Sequence, residues 1–291
     1  MEIRVLNYFL MVAREENITK AANLLHITQP TLSRQLMQLE EEFGVKLFMR
    51  NSHKVTLTED GLLLKRRAQE LVSLAEKTKK EMIHEKDIAG EIAIGSGEMM
   101  GMSVLAGIMD EFRQKYPKAH FDVYSGNADG IKERIENGLL DAGLLLEPVD
   151  ISKYEFARMP GKEQWGVVVK EDSSLVEKGF VTPDDIAGLP LITAKRAMVQ
   201  DELHSWFGET ADQLNIVSTY NLMYNSIMQV KRGMGILLCL KLDVQSEGVK
   251  FIPLSPTLEL GSVLVWKKNQ IFSPAVEAFT QFCSQYLKGI S

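Results

Sequence analysis

Cysteine is scarce in this 291-residue chain. The two present, Cys239 and Cys283, give no disulfide framework and no metal-ligand spacing. Cys239 lies in the apolar run Gly235-Ile236-Leu237-Leu238-Cys239-Leu240 and reads as a buried free thiol. The five histidines, His26, His53, His84, His120 and His204, also lack metal-ligand spacing. No nucleophile–base motif is present, so neither an enzyme nor a cofactor is expected. No apolar run approaches the roughly 20 residues that span a bilayer. The opening Met1-Glu2-Ile3-Arg4 lacks the basic, apolar and small-residue regions of a signal peptide. These absences predict a cytoplasmic protein without membrane contact.

An excess of positive charge is missing too. Net charge is −6, which by itself argues against nucleic acid. Its distribution matters more. Residues 1–67 hold 10 basic and 8 acidic side chains, and the remainder 23 and 31. That permits a DNA-binding head on an acidic body. Hydrophobic residues make up 45% and charged residues 25%, the range of a globular protein long enough for two domains.

Leu6, Phe9, Leu10 and Ala13 recur at the spacing of a helix with one buried face. Asn17 and Thr19 are candidate caps for a second helix, Lys20 to Leu25, burying Ala21, Ala22 and Leu25. After a polar turn, Thr28 can cap a third helix with Pro30 in its first turn and Gly44 at its stop. Leu32, Leu36, Leu39 and Phe43 form its core stripe. Thr31, Arg34 and Gln38 project from the other side, with Ser33 and Gln35 on the flanks and no acid among them. Arg can read guanine, Gln adenine, and Ser or Thr bases or phosphates. The acids Glu40, Glu41 and Glu42 lie in the C-terminal half, away from a groove entered N-terminus first. A plain amphipathic helix with a solvated face is the bland alternative. Two short strands follow, Lys46–Arg50 and Val55–Thr58, with Arg50, His53 and Lys54 near the tip. A basic hairpin beside a helix-turn-helix reads as a wing on backbone phosphates.

The stretches Thr19-Lys20-Ala21-Ala22, then His26-Ile27-Thr28-Gln29-Pro30-Thr31-Leu32-Ser33-Arg34-Gln35, then Phe43-Gly44-Val45-Lys46-Leu47-Phe48, then Leu57-Thr58-Glu59-Asp60-Gly61 carry a resemblance. About the first 65 residues resemble, without a gap, the winged helix-turn-helix of LysR-type transcriptional regulators. The resemblance implies that Gln29, Pro30, Thr31, Ser33 and Arg34 sit at the DNA, with Arg50 at the wing. Asn51 stands where many members carry a basic residue or glycine. The expected DNA surface is therefore Thr28, Gln29, Pro30, Thr31, Ser33, Arg34, Gln35, Gln38, Arg50, His53 and Lys54. The expected partners are double-stranded operator DNA and a small-molecule effector.

From Thr58 a further helix is expected to run to about Lys86. Leu64, Ala68, Leu71, Ala75, Thr78 and Met82 form a heptad-like seam suited to a partner helix. In the resembled family this helix is the dimerisation linker. A two-fold dimer or a tetramer, reading a roughly palindromic operator, is expected. Beyond Glu91 short apolar runs alternate with helical patterns, which predicts α/β with largely parallel sheets. The resemblance implies two lobes like those of periplasmic solute-binding proteins, crossing near Gly161 and returning near Lys267. The expected organisation is a winged helix-turn-helix at 1–58, a linker helix at 59–88 and an effector domain at 89–291. Its first lobe takes 89–161 and 267–291, its second 162–266.

Ligands in open α/β sheets bind at the C-terminal ends of strands. The candidates there are Ser96, Gly97, Met99, Met100, Ser125, Asn127, Glu147, Thr193 and Ala194. Ser96, Asn127 and Thr193 have plain alternatives as caps or turns. Met99, Met100 and Met102 suit core packing as well as a cleft wall. A helix opening at Thr193-Ala194-Lys195-Arg196 would favour an anion, and Glu147 a cation, so together they admit a zwitterion. A dinucleotide-binding enzyme is disfavoured, because Gly101 comes one residue late for G-x-G-x-x-G and Glu98 would repel a pyrophosphate. A solute-binding transport component and an architectural DNA protein are the other rivals. The first is opposed by the winged helix and the absent signal peptide, the second by a sensor-like body of about 200 residues.

Overall fold

A computed structural model describes residues 1–50, 54–81, 88–195, 197–243 and 246–289. It separates into two units, Met1–His84 and Glu85–Ser291. In the first, α1 (Ile3–Glu15) ends where Glu16 turns left-handed. α2 (Ile18–Leu24) opens on Asn17, whose side chain accepts from the Lys20 N–H. α3 (Gln29–Phe43) opens on Thr28, whose hydroxyl accepts from the Thr31 N–H. It stops at Gly44, where φ is 68°, a conformation that resists a side chain. β1 (Phe48–Arg50) and β2 (Val55–Leu57) pair antiparallel. α4 (Glu59–Glu81) follows Thr58, whose hydroxyl accepts from the Gly61 N–H and donates to the Lys46 carbonyl.

Apolar burial holds these elements together. Leu6, Phe9, Val12, Leu32 and Leu36 are buried between the helices, and Ala21 and Ala22 let α2 approach closely. Each large side chain contributes about 1.5–3 kcal/mol. Two expectations need correction. Phe43 is exposed rather than part of the core stripe. Glu40 is buried in the last turn of α3 instead, accepting from the Leu47 and Phe48 N–H groups at 2.9 and 3.3 Å. The backbone leading into β1 needs an acceptor there, and a carboxylate supplies it where an aromatic ring would not. The linker seam also divides. Ala68 is fully buried in this chain's own core, with Leu64 packed against it, because α1 lies on α4. Met82 and Lys86 lie outside the described residues.

The second unit contains two sheets. Its elements run β3 (Gly90–Ser96), α5 (Gly101–Lys115), β4 (Ala119–Ser125), α6 (Ala128–Glu136), β5 (Ala142–Leu146) and β6 (Tyr154–Arg158). Then come β7 (Glu163–Lys170), α7 (Pro183–Ile186), β8 (Pro190–Ala194), α8 (Ala197–Phe207), β9 (Asn215–Tyr220), α9 (Tyr224–Lys231) and β10 (Ile236–Leu240). β11 (Val249–Pro253), β12 (Glu259–Leu260), β13 (Ser262–Lys267) and α10 (Pro274–Gly289) complete the chain. The first sheet has the order β4-β3-β5-β13-β6. The second has the order β11-β7-β10-β8-β9, with β12 also on β7. α10 returns to the first lobe, where Phe279 stacks edge-on to Phe112 of α5 at 5.2 Å.

The sheets are mixed, not largely parallel. β3 runs parallel to β4 and β5, and β8 to β9 and β10. β7 and β13 run antiparallel to every strand they pair with. These are the strands entered directly from a crossing. A strand that enters a lobe from the crossing side runs away from it, against strands whose C-terminal ends point there. The chain passes to the second sheet between Arg158 and Glu163. It returns at Gly261 rather than near Lys267, because Ser262–Trp266 already pair with β5 in the first sheet. Among the described residues no helix is long and apolar enough to cross a membrane.

Candidate functional site

The exposed face of α3 carries the polar side chains. Leu32, Leu36 and Leu39 point inward. Thr28, Gln29, Pro30, Thr31, Arg34 and Gln38 are exposed, and Ser33 and Gln35 half-buried. Gln29 donates to the Ser33 hydroxyl at 2.8 Å, and Gln35 to the Gln38 side-chain oxygen at 3.0 Å. The Thr28 and Thr31 hydroxyls share a 2.8 Å bond. Arg34 makes no hydrogen bond or ion pair among the described residues. Its five-donor fork projects from the N-terminal half of α3, which carries no acid.

The wing is tied to α1. The Val55 N–H donates to the Glu16 carbonyl at 2.9 Å, and the Lys54 ammonium pairs with the Glu16 carboxylate at 2.5 Å. Lys54 is therefore not the acid-free cation that its hairpin suggested. The left-handed turn at Glu16 brings a carboxylate from 38 positions earlier beside it. Arg50 pairs with Val55 through its backbone. Its side chain, and Asn51 and His53 entirely, lie outside the described residues.

In the second unit a cleft of about 100 Å³ lies between the two sheets at their strands' C-terminal ends. The first lobe supplies Gly97, Glu98 and Met99 after β3, Asn127 after β4, and Leu144–Leu146 of β5. The second supplies Trp165 of β7, Ala194 and Lys195 at the end of β8, Tyr220 and Asn221 at the end of β9, Met223 before α9, and Leu240. Four expected residues thus meet on its wall: Gly97, Met99, Asn127 and Ala194.

Five others do not, and each has a local reason. Ser96 and Thr193 are buried within their strands, one position before the wall, and the Ser96 hydroxyl donates to the Gly97 carbonyl. Met100 gives its N–H to Glu163. Ser125 is exposed at the end of β4, off the wall. Glu147 follows β5 toward the crossing, with its N–H on the Gly261 carbonyl and its carboxylate 3.9 Å from Arg158. Beyond these five, Met102, weighed with Met99 and Met100 for the cleft wall, packs against the core. The expected zwitterion site built on Glu147 therefore loses its acid. Glu98 and Lys195 are the charged groups on the wall.

The wall's polar groups are individually placed. Asn127 caps α6, its side-chain oxygen accepting from the Gly130 N–H at 2.9 Å, which leaves its NH₂ as a donor. The Tyr220 hydroxyl donates to the Leu238 carbonyl at 2.9 Å, and burial pushes its phenol well above the ordinary range. The Trp165 indole N–H is buried without an acceptor among the described residues. The Glu98 carboxylate accepts from the Met223 N–H across the cleft. At the crossing, buried Glu163 accepts from the Met100 and Gly101 N–H groups at 2.8 Å each, and from the Ser262 hydroxyl at 3.2 Å. Both crossing strands are thereby tied to the start of α5. Among the described residues no group of His, Cys, Asp or Glu is arranged to hold a metal.

Several wall residues were missed from sequence. Glu98 and Lys195 sit inside the two stretches that follow β3 and β8, so their positions were legible. Tyr220 and Asn221 were not, because Asn215–Tyr220 holds only the two-residue apolar run Ile216-Val217 and lacks the longer run that marks a buried strand. Trp165 lies near the N-terminal end of a strand that enters from the crossing, whereas the strand rule points to C-terminal ends.

Comparison with known proteins places the two units in a family. The family model for a LysR substrate binding domain matches residues 85–288. That for bacterial regulatory helix-turn-helix proteins of the lysR family matches residues 3–62. The chain is 29% identical over 289 residues to YybE, an uncharacterized HTH-type transcriptional regulator of Bacillus subtilis (strain 168), covering 97% of this chain and 98% of that one. It is 26% identical over 300 residues to HcaR, the Hca operon transcriptional activator of Escherichia coli (strain K12), with both chains fully covered. The crystal structure of full-length CbnR with its target DNA superposes with a TM-score of 0.75 at 19% identity, covering 99% of this chain and 100% of that one. The chain belongs to the LysR family of transcriptional regulators, with a DNA-binding helix-turn-helix ahead of a substrate-binding domain.

Proposed function

We propose that this regulator reads its operator with the N-terminal half of α3. Arg34 is the principal base reader, and Thr28, Gln29, Pro30, Thr31, Ser33, Gln35 and Gln38 set register on bases and phosphates. The observation that carries this reading is the guanidinium of Arg34, without an ion pair among the described residues, on the exposed N-terminal half of α3, which carries no acid. The protein works in the cytoplasm, where its DNA is. Arg50 and the wing touch the backbone phosphates.

The effector binds in the cleft between the lobes, against Gly97, Met99, Asn127, Trp165, Ala194 and Lys195. Strand ends and loop N–H groups from both lobes converge there around an apolar floor. Assembly is by the linker helix. Leu63, Leu71 and Leu74 of α4 are exposed apolar side chains. Leu63, Leu64 and Leu71 line an apolar groove of about 390 Å³ with Met1 and Phe43. A second copy covers this face in a dimer. A gel shift with DNA upstream of the protein's own gene, with and without a metabolite that raises Tm, tests the reading. Absence of a sequence-specific complex would overturn it.

A further inference from the structure

Helix α9 has no cap of its own. Met223, just before it, already has helical backbone angles and makes no side-chain cap bond. Leu222 closes only a local turn on the Asn221 side chain. The first N–H groups of a helix lack intrahelical partners. Here the Met223 N–H is taken by the Glu98 carboxylate, which comes from the other lobe, 125 residues away. A carboxylate suits that place, because the free N–H groups and the helix dipole both favour negative charge.

The same cleft holds two more groups suited to an oxyanion. Trp165, 2% exposed, lines it with an indole N–H that has no acceptor among the described residues. Lys195 lines it with an ammonium that makes no ion pair among the described residues. Glu98 therefore stands in the cleft as a tethered anion among donors that it only partly satisfies. A cationic ligand drawn to Glu98 would strip α9 of its cap and meet Lys195. An anionic one replaces like with like.

We infer that the N-terminus of α9 is a carboxylate subsite, that Glu98 is its resident occupant, and that the effector carries a carboxylate which displaces Glu98. This rests on the cleft being the effector site. In the unliganded protein the length of the Glu98 side chain sets the distance between the lobes at this point. In the liganded protein the effector's shape sets it, and the difference between the two is what the regulator senses.

The test uses full-length wild type, Glu98→Gln and Glu98→Ala, titrated with sodium acetate and sodium benzoate against sodium chloride at matched ionic strength. Thermal unfolding and tryptophan fluorescence report binding. With the internal competitor gone, Glu98→Ala should half-saturate at roughly tenfold lower acetate or benzoate, as expected for losing an ordinary helix cap. Glu98→Gln should shift the same way by less, and it carries the test if the alanine variant does not fold. Equal half-saturation in all three proteins, tighter binding to wild type, or no saturable binding overturns the subsite. Ala194→Trp, which fills the cleft, separates the two readings. Saturable benzoate binding that Ala194→Trp abolishes but Glu98 does not tune overturns the carboxylate subsite alone. Binding that survives Ala194→Trp overturns the cleft reading itself.

Discussion

Arg34 and Glu40 sit six positions apart on one helix and do opposite work. Arg34 is solvated and unpaired, and so is free to meet a base edge. Arg34→Ala should weaken specific operator binding by about 1–3 kcal/mol and leave non-specific binding far less affected, as measured by gel shift at fixed salt. An unchanged affinity would remove Arg34 from the reading role. Glu40 is buried and fully engaged. Burial acts to raise its pKa, but the Lys46 ammonium and the Leu47 and Phe48 N–H groups outweigh it and hold the carboxyl below its usual 4.5. A carboxylate depressed in the folded state contributes stability above its unfolded pKa and loses it as pH falls through the folded one. Thermal melts from pH 7 to pH 3 should show stability declining below about pH 4.5. Glu40→Gln should flatten that acid limb, and an identical limb in the variant would sink the assignment.

At the scale of elements, α4 has two apolar sides. One side packs on α1 and on the backbone before β1. Gly61 is needed there, because a Cβ would lie 2.2 Å from the Leu47 carbonyl oxygen, a backbone atom that cannot swing away. Gly61→Ala should lower stability by about 1–3 kcal/mol, seen as a reduced Tm, and an unshifted Tm would show that the helix can slide. The other side carries Leu63, Leu71 and Leu74. Leu71→Asp should split the assembly, because the partner would bury an unpaired charge. Sedimentation should then show smaller species and gel shifts weaker binding. A fully assembled Leu71→Asp protein would place the interface elsewhere.

For the whole molecule, the proposed effector cleft has to act on a DNA complex through the second unit's lobes. The two lobes share a cleft and are joined at two crossings, where Glu163 and Ser262 hold the start of α5. A ligand touching both walls shifts the balance between lobe arrangements only by its difference in affinity for them. Ala194→Trp should therefore abolish any effector-dependent change in the operator footprint. A normal response in that variant would move the effector site out of the cleft. Ser96, although it follows the same strand pattern, is unsuitable for such a block, since it is buried behind the wall.

Much of this protein was legible without coordinates. The helix caps at Asn17 and Thr28, the stop at Gly44 and the two strands of the wing depend on neighbours within a few residues, so local chemistry determined them. So did the inward leucines and outward polar groups of α3, which follow from helical period alone. What only the tertiary structure decided depends on residues far apart in the chain. Glu16 reaching Lys54, α1 claiming Ala68 from the linker seam, and the return crossing at Gly261 are examples. The cleft is another. The strand ends pointed to its loops, but the choice of Gly97 over Ser96, or Ala194 over Thr193, depends on which side of one peptide faces the opposite lobe. Glu98 on the N-terminus of α9 joins positions 125 residues apart. Local propensity and periodicity carry no signal over that distance, and only the packing of one lobe against the other supplies it.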